Sequence, residues 1–164
     1  MKLSVRGFTL VEIMIVVAII ALLAAIAIPN VLRGRTTANE AAAIGNMRAL
    51  VSSLEMYRSV YSAYPAAWQG DMYTNANPAF GPPSFGVALA NGSNNLIQGF
   101  AYTYNRNTAQ TYVLRAGPEV AGRTGTRGFF VDDSGTIRHC STTTNNGTAN
   151  ATSNTIDAQP SSGC

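Results

Sequence analysis

Residues 6–29 read RGFTLVEIMIVVAIIALLAAIAIP, and this stretch decides the architecture. From Phe8 to Ile28, 19 of 21 residues are apolar, Thr9 and Glu12 being the exceptions. As a helix the run rises roughly 31 Å, enough to cross a hydrocarbon core of about 30 Å. Lys2 and Arg6 stand before it, Arg33 and Arg35 after it. A secretory signal peptide shares the basic start and the small residues Ala24, Ala25 and Ala27, but its apolar region normally spans only about 7–15 residues. A single-span anchor shares the length. Glu12 fits neither, because a carboxylate inside a span is costly and is retained where it has work and a partner. Arg6 is the nearest cation, on the far side of Gly7. A cut after Gly7 would create a cationic amine at Phe8. Intrachain geometry to Glu12 is expected to be poor, so a neighbouring copy is the better partner.

Outside this run the chain is ordinary. Its 164 residues suit one modest domain, or one domain plus an appendage. The net charge is +3, and Lys2 and Arg6 supply two of it, which argues against a strongly basic nucleic-acid-binding domain. Two cysteines and one histidine are too few for an ordinary zinc site, and no metal or cofactor is expected. Beyond Pro29 the apolar pattern resumes. Met47, Leu50, Leu54, Tyr57 and Tyr61 recur at helical spacing, opposite Arg48, Ser52, Glu55, Ser59 and Ser62. The spacing predicts a helix over 8–62, spanning at 8–28 and amphipathic at 40–62, with Tyr64-Pro65 as its stop. Residues 31–39, with Arg33, Gly34 and Arg35, are expected to be bent or locally unwound. Such a helix is roughly 80 Å long, whereas a head of about 100 residues has a radius of gyration near 13 Å. The head can cover only the second half. The first half needs bilayer, or other copies of itself, which favours a polymer subunit over an anchored enzyme.

Residues 63–164 form the head. Pro, Gly and Asn crowd positions 65–98, which read as loop. Phe100, Tyr102 and Tyr104 alternate with Ala101 and Thr103 as a half-buried strand does. Thr111–Ala116, Gly128–Asp132 and Thr136–Cys140 are further strands, the last two joined by Asp133-Ser134-Gly135 as a hairpin turn. Three or four antiparallel strands over the helix stripe give an α+β fold. No catalytic set assembles: His139 and Cys140 are adjacent, so on a strand they face opposite ways. Asp132-Asp133-Ser134-Gly135 reads as a polar turn rather than a calcium loop. Arg106, Arg115, Arg123, Arg127 and Arg138 read as solvated cations, with nucleic-acid binding a lesser alternative. The sequons at Asn91, Asn146 and Asn150 read as products of composition.

Arg6-Gly7-Phe8-Thr9-Leu10-Val11-Glu12, the apolar run to Ile28 and then Pro29 closely resemble the N-terminus of type IV pilins and pseudopilins. The resemblance implies a leader of residues 1–7, of the short type IVa-like kind, removed by a prepilin peptidase between Gly7 and Phe8. It implies N-methylation of Phe8, an assembly role for Glu12, a helix kink at Pro29 and the pilin fold. The tail from Ser141 to Cys164 has ten Ser or Thr among 24 residues, bracketed by Cys140 and Cys164. Outside the cytoplasm a bridge between them is chemically favoured, and closing the loop stabilises by about 3.5 kcal/mol. Many pilins resemble this in having a C-terminal disulfide loop; two unpaired thiols are the alternative. The expected protein is no enzyme but a structural subunit of a type IV pilus. It would be a single-pass inner-membrane precursor that self-associates into an extracellular filament with the pilus assembly machinery. The alternatives are a pseudopilin of a type II secretion system, or a minor tip pilin binding a surface or DNA.

Overall fold

The computed structural model describes residues 7–86, 89, 96–147, 154–155 and 161–162. The chain divides into two units, Met1–Arg35 and Thr36–Cys164. Helix α1 spans Leu10–Tyr61. It starts at Thr9, whose hydroxyl accepts the Glu12 N–H at 3.2 Å, and it stops where Ser62 turns left-handed at φ 56°. The stop therefore comes just before the expected Tyr64-Pro65. Pro29 lies inside the helix and, lacking an N–H, leaves the Ala25 carbonyl without its usual donor. One turn on, the Asn30 side chain donates to the Ile26 carbonyl at 3.1 Å. Residues 31–39, expected to be bent or unwound, are helical throughout. Gly34 costs only about 1 kcal/mol, and the surrounding Val, Leu, Arg and Ala continue the hydrogen-bond ladder.

In the second unit the strands are β1 (Leu96–Ile97), β2 (Phe100–Arg106), β3 (Tyr112–Pro118), β4 (Arg127–Asp132) and β5 (Arg138–Ser141), with β6 (Asn154–Thr155) and β7 (Ser161–Ser162). They hydrogen-bond in sequence order from β1 to β6, all antiparallel, and β7 pairs with β5 in parallel. All four expected strands are present, with three short ones added. β3 runs past its expected end at Ala116 because Gly117 and Pro118 still pair with Ala101 and Phe100. β5 begins at Arg138 rather than Thr136. The β4–β5 turn is as expected: Gly135 N–H donates to the Asp132 carbonyl, Ser134 N–H to the Asp132 carboxylate, and Gly135 takes φ 71°.

The core forms between one stripe of α1 and one face of the sheet. Ala43, Met47, Leu50 and Leu54 meet Phe100, Tyr102, Leu114, Ala116, Phe129 and Val131, all fully buried. Arg48, Ser52, Glu55 and Ser59 are exposed on the other side, as the spacing requires. Tyr57 is half-buried and Tyr61 exposed, so the stripe weakens at its end. The described residues after 65 have little regular structure, as expected, yet they are not mere surface loop. Trp68, Met72, Phe85 and Leu89 are core residues, Trp68 Nε1 donates to the Phe85 carbonyl at 2.8 Å, and a π turn (Gly70–Thr74) and a 3-10 turn (Pro83–Phe85) carry two of them. Aromatic side chains outweighed the breakers around them.

Candidate processing and assembly site

Gly7, Phe8, Thr9 and Glu12 lie together at the start of α1. Thr9 is the N-cap and Glu12 the third helical residue, the spacing of a capping box. One oxygen of Glu12 accepts both the Thr9 N–H and the Thr9 hydroxyl at 2.8 Å, and the Thr9 hydroxyl accepts the Glu12 N–H. Two otherwise unpartnered helix-terminal N–H groups are satisfied this way. The carboxylate also sits at the positive end of the helix dipole, which favours its charge. Thr9 is the residue that sequence reasoning passed over. Its signal was the Thr-x-x-Glu spacing, read only as an exception to apolarity.

The box folds the Glu12 carboxylate back onto the N–H of Thr9, the residue after Phe8. Phe8 is 85% exposed, and a Cβ added at Gly7 would meet nothing within 4 Å. The fold itself does not require glycine at position 7. Beyond the box, the large apolar side chains from Leu10 to Leu32 are 50–74% exposed. By length and hydropathy α1 contains one candidate membrane span, none of it buried within the chain.

The other expected constellations separate. His139 and Cys140 are both buried on β5. Cys164, the Asn91 and Asn150 sequons and residues 1–6 of the leader lie outside the described residues, and Asn146 is exposed in a turn. The arginines have individual uses: Arg106 Nε donates to the Thr108 carbonyl, Arg115 lies over Phe130, and Arg127 pairs with Glu40. Glu40 was read as the start of the amphipathic helix and nothing more. Among the described residues it is the buried carboxylate of the head, its Oε2 held by Arg127 Nε at 2.7 Å and its Oε1 by the Thr126 N–H and hydroxyl. Burial pushes its pKa up, but the Thr126 bonds and Arg127 outweigh this and hold it below the ordinary 4.5.

A capped, exposed apolar helix long enough to cross a membrane, followed by an antiparallel head, is consistent with an inner-membrane precursor. Residues 2–28 match the prokaryotic N-terminal methylation motif. This motif and the relatives below support a likeness to the type IV pilins and pseudopilins. It is 42% identical over 65 residues to the type II secretion system core protein G of Dickeya chrysanthemi, covering 40% of this chain and 42% of that one. The Klebsiella michiganensis protein of the same name is 37% identical over 79 residues, 48% and 56% of the two chains. The Escherichia coli one is 40% identical over 65 residues, 40% and 45%. The chain thus spans about half the length of the curated relatives it matches. No solved structure matches it.

Proposed function

We propose that this chain is a filament-forming pseudopilin of a type II secretion system. It is inserted in the inner membrane as a precursor, cut between Gly7 and Phe8, methylated on the Phe8 amine and polymerised through α1. The observation that carries this is the exposed apolar surface from Leu10 to Leu32 behind the Thr9–Glu12 box. Twenty residues of uncovered apolar helix are stable only in lipid or among like helices. Glu12 selects between these environments. In lipid its charge is partly met by the helix terminus and Thr9. After cleavage the Phe8 amine adds a cation within a residue of it, and in a filament the amine of an adjacent copy is a second candidate. Desolvation offsets much of that attraction, so the gain is register more than stability.

The relatives' names favour the secretion machine over the pilus that the short leader suggests. One observation favours a pilus: the cysteine bracket. Ser161 pairs with Cys140 in the β5–β7 register, which leaves Cys164 about 10 Å or less along the chain. Among the described residues no cysteine is a free thiol, which supports a Cys140–Cys164 bridge. Deleting the gene in its host discriminates the two. The pseudopilin reading expects secreted enzymes to accumulate in the periplasm while surface pili persist under the electron microscope. Loss of pili with secretion intact would establish the pilus reading.

A further inference from the structure

Where α1 enters the second unit, directed polar bonds hold it before apolar packing begins. Thr36 Oγ1 donates to the Arg123 carbonyl at 3.3 Å, and Asn39 Nδ2 to the Thr124 carbonyl at 3.1 Å. Glu40 Oε1 accepts the Thr126 N–H at 2.7 Å, its hydroxyl at 2.8 Å and the Arg127 N–H at 3.2 Å, while Oε2 takes Arg127 Nε. The buried apolar stripe starts only at Ala43. The receiving loop between β3 and β4 is tied to itself: Arg123 and Thr124 N–H groups donate to the Val120 carbonyl, and Gly122 N–H to that of Gly125. A Cβ at Gly125 would stand 2.6 Å from the Phe100 ring, so the loop has one seat on the core.

A buried ion pair adds little net stability over apolar contact, but it fixes geometry. An Ala–Met–Leu stripe tolerates a slide of the helix; this set of bonds accepts one rotation and one axial position. Just before it α1 is weak: Pro29 removes a ladder bond, Gly34 lowers propensity, and residues 29–35 are all exposed. We propose that Thr36, Asn39 and Glu40 form a clasp that stops unwinding, so that loss of helix within residues 29–35 ends at Thr36 and does not reach the core stripe. Glu40 is its positioning residue, and the clasp does not depend on which machine uses the subunit.

Hydrogen exchange on the full-length chain in detergent micelles at pH 7 tests this, comparing wild type, Gly34→Pro, Glu40→Gln and the double variant. Gly34→Pro should speed exchange at residues 29–35 and leave 43–54 unchanged. Glu40→Gln alone should speed residues 36–42. The double variant should speed residues 43–50 about tenfold beyond the product of the single effects. Asn39→Ala, which removes one bond and no charge, is paired with Gly34→Pro in parallel and should act in the same direction, so the test survives if Glu40→Gln unfolds the head. Purely multiplicative effects in both pairs, or exchange at 43–54 already raised by Gly34→Pro alone, would overturn the clasp.

Discussion

Thr9 and Glu12 show how one carboxylate serves two ends. As a cap, the Glu12 carboxylate accepts the Thr9 N–H that hydrocarbon would leave bare; as a charge, it is proposed to meet the Phe8 amine. The two roles are separable by substitution. Glu12→Gln keeps an acceptor and removes the charge, so insertion and cleavage should persist while filament yield falls, measured as sheared filament against membrane-held subunit. Thr9→Val removes the hydroxyl and keeps the shape, weakening the helix start by about 1 kcal/mol. It too should reduce filament yield with cleavage intact. Unchanged yield from Glu12→Gln would confine Glu12 to capping. Glu40 is the opposite case, a carboxylate fully used inside the head. Its pKa is lowered on folding, so its contribution is present above about pH 4.5 and is lost as pH falls through the folded-state value. Urea unfolding of the head in micelles should show stability falling below pH 4.5, with a shallower slope in Glu40→Gln.

At the scale of elements, α1 is one helix with two different demands. Its second half is held by tertiary burial. Leu50 is fully buried against the sheet, and Leu50→Ala should cost the head about 2–4 kcal/mol by denaturant unfolding. Met56, half-exposed on the same helix, should tolerate alanine within about 0.5 kcal/mol. That contrast checks the packing direction of the helix. On the sheet, β5 receives both later strands, β6 and β7, so the proposed bridge would fasten the last ladder. Cys140→Ser should lower stability by about 2–4 kcal/mol, and reducing agent should have the same effect on wild type and none on the variant.

For the whole molecule, the proposed processing would be the decisive event, because it would remove residues 1–7 and create a cation beside Thr9. Mass spectrometry of the mature chain should find methylated Phe8 at the N-terminus. A mature chain starting beyond Ala27 would instead establish secretory cleavage and remove α1's first half altogether.

What the sequence determined by itself was whatever depends on local order. The run Phe8–Ile28, the stripe Met47–Tyr61 and the alternation of Phe100, Tyr102 and Tyr104 each repeat at the period of their element, and these and the Asp133-Ser134-Gly135 turn were found where expected, except that the stripe fades at Tyr57 and Tyr61. The resemblance to type IV pilins and pseudopilins, too, was legible in residues 6–30. Three things only the tertiary structure decided. Trp68, Met72, Phe85 and Leu89 sit among prolines and glycines, and their burial depends on partners far along the chain, not on spacing. The helix persists through residues 31–39 although its local propensity is mixed, and Thr36 and Asn39 there bond to carbonyls 87 and 85 residues away. Glu40 looked like any surface glutamate on a helix, because its meaning lies in Thr126 and Arg127. A periodic pattern records which face of an element is buried; it carries no record of which distant polar group will meet a charge once that face is covered.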